Sequence, residues 1–268
     1  MISWWCVALQ EPWRWQFVAY PGIWAAVFIP AGSYLRAVSR SDYRTSRRQR
    51  IQFLAGMAVF WVASDWPLGT LGAGYLASAH MAQFILYTLG AAPLLLLGTP
   101  DWLAERVISR LRIRRPLRWL SRSLVVSGAV YNLTLVATHS PGVVTALRTS
   151  QVGSFLMDVV WLLAGLVLWM PLLAPIRSLR HPSPIGRIAY LFATTSLVAV
   201  IPASFLTFSA IPLYRVYELA PRIASLTARE DQQLAGIVMK LGSIPVVWTT
   251  IAVLWFRWAA SEHRESAA

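Results

Sequence analysis

Apolar residues form runs about as long as a membrane span along the whole chain, separated by short polar stretches. A helix needs about 20 apolar residues to cross a bilayer, and irregular backbone cannot face lipid. A transmembrane barrel would show short strands of alternating polarity instead. The pattern predicts an all-α membrane protein, a seven-transmembrane-helix bundle forming a single domain over residues 1–268. The predicted spans are residues 17–35, 51–66, 75–97, 124–138, 152–173, 188–211 and 234–255.

The positions of the arginines between these spans predict the orientation of the bundle. With the N-terminus outside, eighteen arginines fall on the cytoplasmic side and five fall outside, while Lys240 lies within the seventh span. Cytoplasmic loops of membrane proteins are enriched in Lys and Arg. The sequence thus predicts an outer N-terminus and a cytoplasmic C-terminus in a bacterial inner membrane. The five outer arginines are Arg14, Arg148, Arg215, Arg222 and Arg229.

The composition is typical of a membrane protein and limits the kinds of partner that we expect. The chain is 57% hydrophobic and 13% charged, whereas soluble domains are about one quarter charged. Its net charge of +13 comes from short arginine clusters between apolar runs, so we expect no nucleic-acid partner. The basic stretch from Trp102 to Trp119 is expected to lie on the anionic cytoplasmic leaflet, although a solvated loop explains its second half equally well.

The cysteine content excludes two kinds of structural or metal site. Cys6 is the only cysteine, which excludes an internal disulfide and a site built from several thiolates of one chain.

The Trp-rich stretch from Ser3 to Trp15 lacks the pattern of a signal peptide, and we expect it to lie at the membrane interface. No spacing of nucleophile, base and orienting group is recognisable, so the sequence predicts a protein that is not an enzyme.

Polar residues inside membrane helices are costly and usually mark a functional site. In the predicted topology most of them gather in the outer half of the membrane. Imidazole and thioether groups favour Cu(I), whereas hard cations prefer oxygen ligands. The residues gathered there include His80, Met81, His139 and Asp158, and their mixture of imidazole, thioether and carboxylate groups suits copper better than magnesium or calcium. The surrounding polar or soft residues are Asp65, Gln83, Asn132, Met157, Asp231, Gln232, Met239 and Lys240.

Each of these residues also has an ordinary structural explanation. A histidine at a helix end commonly makes an interfacial hydrogen bond, and methionines mostly pack in cores. Asp158 and Lys240 can neutralise one another across the bundle. Asp231 can cap the helix that it begins. The sequence leaves these explanations open.

Several segments resemble one family of membrane proteins. HMAQFILYTLGAAPLLLLGTP, from His80, resembles the signature of the CtaG-like cytochrome c oxidase assembly factors. YNLTLVATHSP, which contains Asn132 and His139, resembles the fourth helix of that family. Further similarity lies in GLVLWMPLLAP from Gly165, PIGRIAYLF from Pro184, PLY from Pro212 and DQQLAGIVM from Asp231, so that the resemblance covers roughly residues 17–257.

The resemblance implies a seven-helix fold with an outer N-terminus and a role in building haem-copper oxidases. It also implies that Cu(I) is handled at the periplasmic side for an oxidase subunit. The chain departs from the family, because Phe84 stands at a position that is usually His. Ser154 and Asp158 stand where a His pair is usual, and Lys240 replaces a residue that is commonly aromatic.

Two accounts of the function therefore remain open. In one, His80, Met81, His139 and Asp158 hold copper weakly; in the other, the chain is a metal-free scaffold or an accessory subunit of a respiratory complex. A copper transporter is less favoured, because polar groups do not continue to the cytoplasmic side. A retinylidene protein is disfavoured, because the third span lacks a carboxylate counterion.

Overall fold

A computed structural model of the protein describes residues 3–223 and 225–266, and these residues form helices and connecting segments without a strand. Two π-helical segments, Leu86–Ala91 and Ala193–Leu197, continue neighbouring α-helices, and Arg177–Leu179 forms a 3-10 turn. The α-helices are α1 (Pro21–Ser39), α2 (Arg47–Ser64), α3 (Leu68–Gly74), α4 (Ala77–Ile85), α5 (Ala92–Gly98), α6 (Asp101–Leu111), α7 (Arg114–Arg122), α8 (Leu124–Thr138), α9 (Pro141–Arg148), α10 (Gln151–Leu173), α11 (Pro184–Phe192), α12 (Val200–Phe208), α13 (Arg215–Glu218), α14 (Ala228–Leu241) and α15 (Ile244–Ser266).

Four helical stretches in the described chain are long and apolar enough to cross a membrane. They are Ala77–Gly98, Gln151–Leu173, Pro184–Phe208 and Ala228–His263. Two bent pairs, α2 with α3 at 46° and α7 with α8 at 93°, bring the number to six if each pair counts as one span. The prediction of a helical membrane protein is confirmed, whereas the seventh span and the orientation stay predictions.

The π-helical segment Leu86–Ala91 brings two central helices into close contact. A π turn leaves backbone groups without their usual helical partner. Here the carbonyl of Thr88 accepts a hydrogen bond of 2.9 Å from the indole N–H of Trp169 on α10. A Cβ on Gly165 of α10 would lie 2.7 Å from the Cα of Thr88, so only glycine allows this approach. The contact fixes α10 against this π-helical segment and α5, which follows it.

The N-terminal segment enters the bundle instead of lying at the membrane interface. Trp5 and Cys6 are fully buried, and the backbone N–H of Ala8 donates to the carbonyl of Arg148 at 3.0 Å. Trp15, by contrast, is 70% exposed. The interfacial prediction was therefore wrong for Trp5, because its indole N–H has a buried carboxylate to bind.

Candidate functional site

The centre of the buried polar cluster is Arg148, which the sequence had placed in an outer loop. Its side chain is fully buried, and its Nη2 lies 3.1 Å from Oδ1 of Asp158. Its Nε donates to Nδ1 of His80 at 3.3 Å, and Nη2 donates weakly to Oε1 of Gln83 at 3.5 Å. The guanidinium carbon lies 5.2 Å from the ring centroid of Trp161. One cation thus contacts a carboxylate, an imidazole, an amide and an indole.

The short helix α9 and the turn after it direct the side chain of Arg148 into the bundle. Helix α9 begins at Pro141, whose missing N–H and fixed φ suit the first helical turn, and its eight residues end at Arg148. The next helix begins almost at once, because the hydroxyl of Ser150 accepts the backbone N–H of Gly153 and caps α10. Arg148 and Asp158 therefore lie on two consecutive helices joined by a tight turn.

Asp158 is held from two sides. Its Oδ1 faces Arg148, and its Oδ2 accepts a hydrogen bond of 2.9 Å from the indole N–H of Trp5. The predicted pairing of Asp158 with Lys240 is wrong, because Lys240 Nζ donates to the carbonyl of Ser196 at 3.2 Å. The carboxylate of Asp158 pairs instead with Arg148, the nearer cation, at the end of α9.

Arg148 keeps its charge at this buried position. Burial by itself lowers the pKa of its guanidinium, but the carboxylate of Asp158 raises it, and the net effect is a pKa above the ordinary value. Since an isolated charge is very costly in an apolar interior, the ion pair with Asp158 is what makes this arginine tolerable.

His80 and His139 come together as the sequence predicted, with ring centroids 5.9 Å apart. Trp161 lies beside both, stacked on His139 at 5.7 Å and edge-on to His80 at 4.7 Å. Its indole N–H donates to the hydroxyl of Thr138 at 2.9 Å, next to His139 in the chain. Trp161 was missed by sequence reasoning, although it follows Asp158 by three residues and so shares its helix face.

Hydrogen bonds indicate the tautomer of each imidazole. His139 Nδ1 lies 2.8 Å from the carbonyl of Leu135, so this nitrogen carries the proton and Nε2 keeps a lone pair. His80 Nδ1 accepts from Arg148, so in the neutral ring the proton lies on Nε2. Both Nε2 atoms are buried without a hydrogen-bond partner among the described residues. Only His139 therefore offers a free lone pair in this arrangement.

The predicted copper ligands have other partners or lie in the apolar core, and copper binding by them stays a prediction. Across residues 3–223 and 225–266, no group of three His, Cys, Asp or Glu side chains is close enough to hold a metal ion. Met81 is fully buried in the apolar core, as is Met157, and Met239 is nearly so. Burial raises the pKa of Cys6, whose thiol donates to the carbonyl of Ser64 at 3.3 Å. The guanidinium holds the lone pair of His80 that a metal would need.

Asp231 caps a helix other than the one predicted. Its carboxylate accepts the backbone N–H groups of Ala77 at 2.6 Å and Ser78 at 3.3 Å, together with the Ser78 hydroxyl. It thus caps the start of α4, which carries His80. Helix α14 is capped instead by Thr227, in a capping box with Glu230.

Two other predicted polar residues, Asp65 and Gln232, make hydrogen bonds to the structure around them. Asp65 accepts indole N–H groups from Trp24 at 2.8 Å and Trp61 at 2.6 Å. Gln232 accepts the backbone N–H of Leu213 and donates to nearby carbonyls. Asn132 is half-buried about two helical turns before His139.

Sequence similarity to known proteins extends over most of the chain. The family model described as cytochrome c oxidase caa3 assembly factor (Caa3_CtaG) matches residues 32–261. Two uncharacterized proteins, Mb0105 of Mycobacterium bovis and MT0111 of Mycobacterium tuberculosis, are each 29% identical over 260 residues, covering 87% of this chain. ML1998 of Mycobacterium leprae, also uncharacterized, is 28% identical over 232 residues, which is 80% of this chain. The chain spans only 39% of the first two relatives and 34% of the third. No solved structure matches the chain at a significant level.

Proposed function

Since this chain belongs to the cytochrome c oxidase caa3 assembly factor family, we propose that it assists the assembly of a haem-copper oxidase as a non-enzymatic, metal-free membrane scaffold. The family supports the assembly role. The observation that carries the metal-free form is the position of Arg148, whose Nε lies 3.3 Å from His80 Nδ1. A permanent cation at this nitrogen takes the lone pair and repels a metal ion.

Copper handling at the periplasmic side is the alternative function. The specific observation in its favour is that His80 and His139 lie 5.9 Å apart and that Nε2 of each is buried without a described partner. It requires Arg148 to withdraw from His80, which would leave Asp158 without its partner. Because that loss is costly in a buried site, the scaffold is the better-supported function.

A deletion strain distinguishes the two functions. We expect loss of this protein to lower assembled oxidase, measured as oxidase activity and haem content of isolated membranes. The His80→Ala/His139→Ala variant should restore both to the wild-type level if the protein is a metal-free scaffold. His263→Ala, at an exposed histidine, is the matched control, and immunoblotting of membranes checks that each variant accumulates. Failure of the double variant alone would establish copper handling, and normal oxidase without the protein would exclude the assembly role.

The orientation is likewise proposed, with the N-terminus outside and the C-terminus in the cytoplasm of a bacterial inner membrane. The split of eighteen arginines against five supports it. Helix α7 runs at 93° to α8, which suits a basic helix lying along the anionic leaflet rather than crossing it. The partners proposed are therefore an oxidase subunit and anionic lipid, and nucleic acid is not among them.

Reporter fusions test this orientation. Fusions placed after Arg50, Arg122, Arg187 and Arg264 are each expected to report a cytoplasmic location, because each follows a cluster of basic residues assigned to that side. Alkaline phosphatase and a fluorescent protein give complementary signals on the two sides of the membrane. A periplasmic signal at any two of the four positions would overturn the orientation.

A further inference from the structure

Four chemically different groups converge on the guanidinium of Arg148. The carboxylate of Asp158 and the imidazole of His80 contact it at 3.1 Å and 3.3 Å, and the amide oxygen of Gln83 lies at 3.5 Å. The ring of Trp161 covers it at 5.2 Å. The first three present a lone pair to the cation, as ligands do to a metal ion.

The cluster is prepared for a single positive charge. Gln83 donates its own N–H to the carbonyl of Ala63 at 2.7 Å, which leaves its oxygen facing Arg148. Trp5 donates to Asp158 at 2.9 Å and so fixes the carboxylate, whose Oδ1 faces Arg148. These two hydrogen bonds, with Ala63 and Trp5, orient the oxygens of Gln83 and Asp158 independently of Arg148. The charge of Arg148 then balances the one carboxylate.

We propose that Arg148 is a tethered cation that occupies the place of a metal ion, so that the cluster binds a metal only when the guanidinium is removed. The lone pair on Nδ1 of His80 cannot bind the guanidinium and a metal ion at the same time. Two cations that share these ligands would also repel each other strongly in a buried site. The inference rests on the metal-free form of the proposed function, but it holds whether or not the chain assembles an oxidase.

The proposal differs from a purely structural role in one respect. An arginine that only stabilises the fold would leave a disordered or collapsed site when truncated. A tethered cation leaves acceptors that remain oriented by Ala63 and Trp5, and these acceptors can then bind another cation. His139 lies close by, with a lone pair on Nε2.

Titration of purified full-length protein with Cu(I), in competition with a chromophoric Cu(I) chelator, tests the proposal. Wild-type protein should bind Cu(I) roughly a hundredfold more weakly than Arg148→Ala, because only the variant lacks the repelling charge. Arg148→Ala should take up one Cu(I) per chain, and His80→Ala in that background should abolish it. Arg148→Lys keeps a cation and should behave as the wild type.

Free guanidinium supplies a second measurement. Millimolar guanidinium chloride should displace Cu(I) from Arg148→Ala, because it refills the site, whereas the same concentration of sodium chloride should not. If Arg148→Ala does not fold, Arg148→Ala/Asp158→Asn removes both charges, keeps the space open and should bind Cu(I) through His80. Stoichiometric Cu(I) binding by the wild type that depends on His80 would overturn the proposal. So would the absence of binding in a folded variant that lacks the guanidinium.

Discussion

Asp158→Ala should destabilise the protein by about 3–5 kcal/mol, the range seen when one partner of a buried ion pair is removed. Arg148 is fully buried, and a guanidinium does not lose its proton in proteins, so the variant leaves a buried charge without its partner. Trp5 loses its hydrogen-bond acceptor in the same variant. The free energy of unfolding in detergent micelles, followed by tryptophan fluorescence, measures the effect.

The matched control is Asp42→Ala, which removes an exposed carboxylate and should change stability little. The double variant Arg148→Met/Asp158→Ala leaves no unpaired charge, and it should be more stable than Asp158→Ala alone. Equal stability of Asp158→Ala and the control would show that the pair is not the stabilising element. Simple additivity in the double variant would show that the two side chains are not coupled.

Asp231→Ala should destabilise the protein by about 2–3 kcal/mol, because a buried carboxylate that caps a helix makes strong hydrogen bonds. The variant leaves the backbone N–H groups of Ala77 and Ser78 without their acceptor. It also breaks a direct link between α14 and α4. Unfolding measurements should show the loss, and hydrogen exchange should increase at the start of α4.

Glu230→Ala is the control for this second prediction. Glu230 is the adjacent acid, and it completes the exposed capping box at the start of α14. Its removal should cost less than that of Asp231, and it should leave exchange at Ala77 unchanged. A larger effect for Glu230→Ala would contradict the assignment of Asp231 to α4.

The helical membrane fold could be predicted from the sequence, because apolar runs of span length have few alternatives in a bilayer. The number of spans could not be fixed as readily. The predicted gap between the second and third spans, residues 67–74, is occupied in the structure by α3, and the backbone becomes extended only at Leu76. Such breaks depend on partners supplied by distant residues, as Asp231 does for α4.

The site was predictable only in part. Depth along the predicted spans placed His80 and His139 together, and the structure confirms that they meet. The same reasoning missed Arg148, because counting charges assigns every arginine between spans to a loop. A short helix that folds back and buries its last residue leaves no periodic signal in so few residues. The pairing of Asp158 with Lys240 failed for the same reason, since the nearer partner had been excluded in advance.

The hydrogen bond between Trp5 and Asp158 has a consequence for biosynthesis. The two residues are 153 positions apart, whereas Arg148 and Asp158 lie on consecutive helices. During synthesis the ion pair can therefore form as soon as α10 emerges. Trp5, in contrast, is made first, and more than half of the chain must be synthesised before its acceptor Asp158 exists. Closing so long a loop is slow compared with pairing neighbouring helices. Docking of Trp5 is thus a late step in maturation, and a nascent chain that has not reached it still exposes one oxygen of its buried carboxylate.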